Sequence, residues 1–409
     1  MKLDSKLASI ITVVTVGILA GFSITGCSDK AGETKPAAEM SQEEGSGLPS
    51  GHPPLGQEPR SLKGNVLVDP AKKFTHFRVG NSNVKSIFIE DKVVWIGTSG
   101  GVIRHDNNTG DYRIFNNTNG LLSNGVFHVG RLGNYIAAGT YGGGLSLYDE
   151  EKDTWKNLNV PNGLGDAFIY KTIEASNGDI WVATWSGANR VRGGDLMDRS
   201  KWDIYTVENT NGGLPNDWVY SLEEGKNGDI WLATEGGLAL FRNGNWQNWN
   251  HAKGLGAPWE KVKNDPKFGT DPAKLSEHHA RQKVEMGLED TGTAFNPNYV
   301  VSMAVDKDGI VWCGTWGGGL SRYDGKKWRY YTMSDGLPGN HVFMLHEDPS
   351  GKLWIGTNKG LASFDNGKFK VLTTNDGLFS DTIFSMATAQ DGTQWIGSFG
   401  GVTQLSPGK

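Results

Sequence analysis

Seven positions in this chain follow directly on a Thr or Ser that ends an apolar run: Ser99, Tyr141, Trp185, Glu235, Trp316, Asn358 and Phe399. Four of the seven are aromatic. Flat aromatic faces beside a few polar groups suit stacking on sugar rings, or on an aromatic or cationic ligand. Flanking glycines let the backbone turn tightly there, which predicts side chains presented from hairpins rather than buried in strands. We therefore take Tyr141, Trp185, Glu235, Trp316, Asn358 and Phe399 as candidate ligand-binding residues. The competing reading is that they cap strand edges and only fill a mouth.

Other chemistries fit the spacing less well. His278 and His279 are adjacent, so on a helix they diverge by about 100° and do not readily share a metal; His251 in the same segment adds a third imidazole to a sparse zinc set. Asp306, Asp308 and Gly309 look like part of a calcium loop. Equivalent places hold Asn177 to Asp179, Asn227 to Asp229 and Ser350 to Lys352, which marks a hairpin turn, and the spaced Glu is missing. Gly142 to Gly144 lacks the strand-to-helix setting of a phosphate loop. A net charge of -5 without a basic cluster argues against nucleic acid. We expect no metal and no cofactor.

His128 stands where other repeats place Ser86, Thr172, Ser221, Ser302 and Ser385, and reads as a core histidine. With Glu235 and residues of the insertion described below it could build a lyase or hydrolase site from several repeats. Spacing does not establish such a site, and no catalytic residue is assigned.

What must position the aromatic series is a repeat. Trp95 to Thr98 recurs as Trp181 to Thr184, Trp231 to Thr234, Trp312 to Thr315, Trp354 to Thr357 and Trp395 to Ser398, while Ala137 to Thr140 has lost the tryptophan. The closing Thr or Ser residues are separated by 42, 44, 50, 81, 42 and 41 residues. Around each copy lie an apolar strand, a turn, the Trp strand, a Gly-rich hairpin, a third strand, and an aromatic fourth. With 58 glycines and 15 tryptophans, this grammar predicts an all-β, seven-bladed β-propeller. The last repeat stops near Gln404 and Leu405, and Lys73 to Phe77 imitates Lys327 to Tyr331, so an N-terminal strand is expected to close the ring. The doubled step marks an insertion of about residues 251–297, following the last strand of blade four. Asp271 and Pro272 would start a helix over Ala273 to Glu289, a candidate lid or a decoration.

Lys2, Lys6 and the apolar run Leu7 to Phe22 read as a signal peptide over residues 1–26. Ile24 to Cys27 resembles the bacterial lipobox, which implies cleavage before Cys27 and a diacylglyceryl anchor on its sulfur. Residues 27–71 read as a flexible tether, and 72–409 as the propeller. Ser28 after the cysteine resembles sorting to the outer membrane of a Gram-negative-type bacterium, facing the periplasm or the cell surface. The other cysteine, Cys313, is expected to be a small buried hydrophobe without a disulfide.

Between repeats stand Asn119-Gly120-Leu121, Asn162-Gly163-Leu164, Gly212 to Pro215, Asp335 to Pro338 and Asp376 to Leu378. Together with Trp-x-Gly-Thr and Gly-Gly-Leu, these links resemble the two-component regulator propeller repeat, over nearly all of residues 72 to 405. The resemblance implies a periplasmic sensor propeller, often one that recognises saccharides in front of a histidine kinase. Here no transmembrane helix, kinase or immunoglobulin-like stalk follows, so we expect a separate partner protein to carry a signal onward. The leading expectation is a lipid-anchored envelope sensor for a saccharide-like or other small ligand. A scaffold subunit of an envelope complex, and a propeller lyase or hydrolase, stay open beside it.

Overall fold

The computed structural model describes residues 62–63, 72–265, 274, 280, 283–284, 294–365 and 367–407. The signal peptide, Cys27, His278, His279 and the helix start at Asp271 lie outside them. The chain divides into two compact units, Pro59–Gly269 with Thr291–Lys409, and Met1–Glu58 with Thr270–Asp290. Of the second, Lys274, Ala280, Lys283 and Val284 are described, all helical. The first is a β-propeller.

Five of its sheets have four antiparallel strands, with Val126–Leu132, Ile169–Glu174, Val219–Glu224, Asn296–Val305 and Val342–Glu347 innermost. The sixth has seven strands because Phe74–Glu90 serves two blades at once. Val84 to Glu90 pair with Val93–Thr98 as the innermost strand of the first blade, while Phe74 to Arg78 pair with Gly401 to Leu405 as the outer strand of the last. Counted this way, seven four-stranded blades are described, and we number them in chain order. Within the stretch expected to be tether, Leu62–Lys63 adds a short edge strand against Asp111 and Tyr112 of blade one.

The Trp-x-Gly-Thr repeat has a physical reason at each letter. Trp95, Trp181, Trp231, Trp312, Trp354 and Trp395 are all buried, giving six of the seven blades a large apolar plate. The glycine lets the next blade's innermost strand come close. A Cβ at Gly97 would press on Val126, at Gly139 on Ile169, at Gly314 on Val342, at Gly356 on Ile383, and at Gly397 on Val84. The last pair joins blade seven to blade one, and blades three and four carry Ala183 and Ala233 in place of the glycine. The Thr closes the hairpin: its hydroxyl donates to a hairpin carbonyl in every blade, from Thr98 to Gly101 at 2.9 Å through to Ser398 to Gly401 at 3.0 Å.

The links work through a buried leucine and a left-handed glycine. Leu121, Leu164, Leu214, Leu337 and Leu378 are buried. Gly377, at φ 115°, lies against Phe74, as Gly120 does against Trp155 of the following blade. Gly254 and Leu255 form a further link of this kind, Leu255 being fully buried and Gly254 at φ 102° facing Trp328. The expected start of the insertion at His251 is thus corrected: residues 251 to 255 belong to the repeat. His251 itself is spent there, its Nδ1 2.7 Å from the Leu255 carbonyl.

Candidate functional site

Each innermost strand carries a β-bulge at its first turn, where the pairing register skips one residue. The skipped residues are Lys85, Phe127, Tyr170, Tyr220, Val301, Phe343 and Phe384. A bulge re-aims a side chain out of the ladder, and here it happens at the same level in all seven blades. Five of the seven residues are aromatic, one is valine and one is a lysine.

The residues after the repeat Thr or Ser sit at the same end. Their backbone N–H groups donate to the strand entering each bulge: Tyr141 to Gly125 at 2.7 Å, Trp185 to Phe168 at 3.2 Å, Glu235 to Trp218 at 3.1 Å, and Asn358 to His341 at 3.2 Å. Hairpins and bulges therefore form two tiers of one mouth. In the upper tier, Tyr141, Phe168, Trp185 and Trp218 make successive edge-to-face contacts at 4.7, 4.8 and 4.6 Å. In the lower tier, Phe127, Tyr170, Tyr220 and Tyr299 follow one another at 4.9, 4.9 and 4.8 Å. Tyr299 stacks on Trp316 at 5.5 Å, Trp316 meets Phe343 at 5.7 Å, and Phe343 meets Phe384 at 5.7 Å. The Lys85 ammonium then lies 4.0 Å above the Phe384 ring.

The six residues taken from the sequence are distributed unevenly in this arrangement. Tyr141 and Trp185 are half-buried and linked through Phe168. Trp316 is only 8% exposed and Glu235 is fully buried, against the expectation that hairpin side chains stand clear. Hairpin length does not track this burial: the Thr of blades two and five reaches a carbonyl four residues on, whereas the other blades close after three, and Tyr141 and Trp316 share the longer form. Trp316 prolongs its strand and lies flat on Tyr299. Asn358 is half-buried, and Phe399 is 44% exposed at the seam of the ring.

The sequence reading overlooked the bulged residues, together with Phe168 and Trp218. Their signal was present: Val-Phe-His, Ile-Tyr-Lys, Val-Tyr-Ser, Val-Phe-Met and Ile-Phe-Ser place an aromatic residue between an aliphatic one and the bulge exit. The bulge also shifts one alignment. Lys171, not Thr172, pairs at the level of His128, opposite Ala183 as His128 is opposite Gly139.

Burial sets the electrostatics. It pushes the hydroxyls of Tyr170, Tyr220 and Tyr299 above their ordinary range, and the negative charge of Glu235 raises all three further. It lowers Lys85 to about 8. His128 falls to about 3, through burial and the nearby Lys171 charge. His341 falls to about 4 through burial, although its Nε2 contacts the Ala294 carbonyl at 2.9 Å. Cys313 is buried and its thiol is pushed up, leaving it a core residue.

The apparent calcium turn is structural. Asp306 accepts from the backbone N–H of Asp308 and Ile310 and, at 2.8 Å, from the Trp312 indole; Asp348 does the same for Trp354 at 2.8 Å. Among the described residues no group of three His, Cys, Asp or Glu is placed to hold a metal ion, and no described helix is long and apolar enough to cross a membrane.

Residues 213–236, 294–317 and 336–359 match the model of the two component regulator propeller family. Each match runs from a link or the entry to an innermost strand, through the bulge and the Trp strand, to the hairpin, the segment that builds one sector of the mouth. The chain carries two component regulator propeller repeats. No curated protein matches it. Among solved structures it is similar to the extracellular domain of a hybrid two component system from B. thetaiotaomicron, at 20% identity and a TM-score of 0.62, over 82% of this chain and 41% of that one. A second such domain from the same organism gives 17% identity and a TM-score of 0.58, over 81% and 39%. Virginiamycin B lyase from Staphylococcus aureus, solved as an inactive variant with quinupristin, gives 13% and 0.57, over 82% and 99%. At these identities the likeness is one of fold, and the chain spans about two fifths of the length of the two component domains.

Proposed function

We propose that this propeller is a sensor domain of the cell envelope that captures a saccharide-like ligand at its aromatic mouth and passes the event to a separate signalling partner. The observation that carries the reading is the upper arc Tyr141, Phe168, Trp185 and Trp218, four rings in unbroken contact across three blades. Such an arc offers apolar faces to the C–H side of a sugar ring, while Asn358 and the tyrosine hydroxyls of the lower tier supply polar groups. The family repeat and the likeness to extracellular two component domains support a sensing role. Cys27, as the lipidated residue, would hold the domain at the membrane, a reading supported by the apolar leader and lipobox-like tetrapeptide, and Ser28 after it supports an outer-membrane address.

The test is thermal unfolding of the protein against a panel of neutral saccharides and peptidoglycan fragments, repeated for Tyr141→Ala with Trp185→Ala. A ligand at a hundredfold excess over its Kd should stabilise the parent by about 2.7 kcal/mol. Loss of that shift in the folded double variant supports the mouth as the site. An equal shift in parent and variant would remove it.

A further inference from the structure

We propose that the top of blade seven, at the seam of the ring, holds a second subsite, built by Arg78 with His76 and Phe379, for the carboxylate of an acidic sugar. The inference rests on the mouth being a saccharide site, and adds that its ligand carries an acidic group lying over blade seven.

Two positions of this blade depart from the repeat, and they meet each other. The residue facing the glycine that leads into the third strand is Asn116, Asn159, Thr206, Asn250, Thr332 or Thr373 in the other blades, and Arg78 here. In five of those six it begins a link, its backbone N–H capped by the side chain three residues on. At the seam no such link follows: Arg78 pairs with Gly401, and Asn83 already pairs with Phe399 of the hairpin. The capping task of Asn or Thr lapses there, and an arginine stands in its place. The residue after the link leucine is Leu122, Gly165, Pro215, Gly256 or Pro338 elsewhere, and Phe379 before blade seven.

The Phe379 ring lies on the hairpin of blade seven, where a Cβ at Gly401 would stand 2.9 Å from it and one at Gly400 3.4 Å. Its backbone N–H donates to the Thr403 hydroxyl at 3.0 Å. Arg78 sets its guanidinium 5.7 Å over the ring, and His76, on the same face of the closing strand, meets the ring edge-on at 5.6 Å. The His76 Nε2–H donates to the Gly377 carbonyl at 2.9 Å. One ring therefore gathers both side chains. His76 holds it in place, while Arg78, exposed and among the described residues without an ion pair or hydrogen bond, keeps its fork of donors for a ligand. Stacking fixes the planar guanidinium before a ligand arrives, so less freedom is lost on forming two parallel bonds to a carboxylate. Phe399, directly before the glycine pair and 44% exposed, offers an apolar face for the sugar ring.

The test measures the heat of binding of trigalacturonate, and of its methyl ester, to the full chain at fixed ionic strength. The ester keeps the sugar and removes the charge. We expect the parent to bind the acid more tightly than the ester. Arg78→Met should weaken the acid about tenfold or more and leave the ester unchanged, Arg78→Lys should restore part of the loss, and exposed Lys92→Met should alter neither. A parent that binds acid and ester alike, or an Arg78→Met protein that binds the acid like the parent, overturns the proposal.

Should Arg78→Met melt below the parent, the parent can be read directly. The arginine Nε–H resonance absent from Arg78→Lys should shift with trigalacturonate and not with the ester, and a resonance that stays overturns the proposal. Acid and ester bound alike, with both lost in the Tyr141→Ala, Trp185→Ala double variant, defeat this inference alone. Acid binding that needs Arg78 and survives that double variant defeats the reading of the mouth alone.

Discussion

Gly397 of blade seven lies directly against Val84 of blade one, where the two ends of the chain meet, and a Cβ at Gly397 would stand 2.5 Å from the valine Cγ1 and collide with the Ser385 hydroxyl. The same glycine-to-aliphatic contact joins blades within the chain, as at Gly356 and Ile383. The seam is therefore built like an ordinary joint between blades, although its partners are 313 residues apart.

Gly397→Ala is expected to destabilise the fold by about 1–3 kcal/mol through overpacking. Val84→Ala in the same chain should recover part of that loss, because it vacates the volume the new methyl enters. Urea unfolding of the single and double variants measures both. A Gly397→Ala protein as stable as the parent would show that the seam is looser than this geometry.

The serines at the bulge exit tie neighbouring blades. Ser302 Oγ donates to the Val342 carbonyl at 3.0 Å, and Ser385 Oγ donates to the Val84 carbonyl at 3.0 Å. Each Ser→Ala change should cost about 1 kcal/mol. The two bonds join different pairs of blades, so the losses should add within about 0.5 kcal/mol. Strong non-additivity in denaturant midpoints would contradict independent joints.

Stability should fall in mild acid. His128 and His341 have ordinary values of 6.5 and native values near 3 and 4. A histidine lowered in the native state binds protons more readily when unfolded, so stability rises with pH between the native and unfolded values. The contribution is fully present above about pH 6.5 and is lost as pH falls towards 4, by roughly 3 kcal/mol or more for each residue. His128→Ser, which installs the residue found at this level in blades one, four, five and seven, should flatten that slope. An unchanged slope in melting curves from pH 7 to pH 4.5 would exclude His128 as its source.

Most of the architecture was legible because its causes repeat. Tryptophan, glycine and threonine each answer one constraint of a blade, and Phe74 in the place of Trp328 revealed the closing strand. What stayed hidden depends on single-residue offsets. A bulge does not alter composition, so Lys171 passed for a neighbour of the true equivalent and the aromatic tier went unnoticed. Gly254 and Leu255 follow Lys253 instead of Asn or Asp, which disguised a link as part of the insertion. Trp316 was read as presented because its position after the repeat Thr is shared with residues that stand clear, and only its stacking on Tyr299 shows it laid into the wall.

The closing strand should also be the point where the ring first opens. Phe77 stacks on Trp395 at 5.2 Å and meets His105 edge-on at 5.3 Å, so one side chain bridges blades seven and one. Unlike every other outer strand, Phe74 to Arg78 is joined to its blade by pairing alone, with Gly401 to Leu405. Phe77→Ala should cost about 2–3 kcal/mol from lost apolar burial and ring contact. The loss should be local before it is global, because detaching this strand exposes the edge of one blade while the others keep their ladders. Amide hydrogen exchange in Phe77→Ala should therefore speed up first at residues 401–405, with the strand at Val182 still protected. Uniform acceleration across all blades would mean that the ring opens only as a whole.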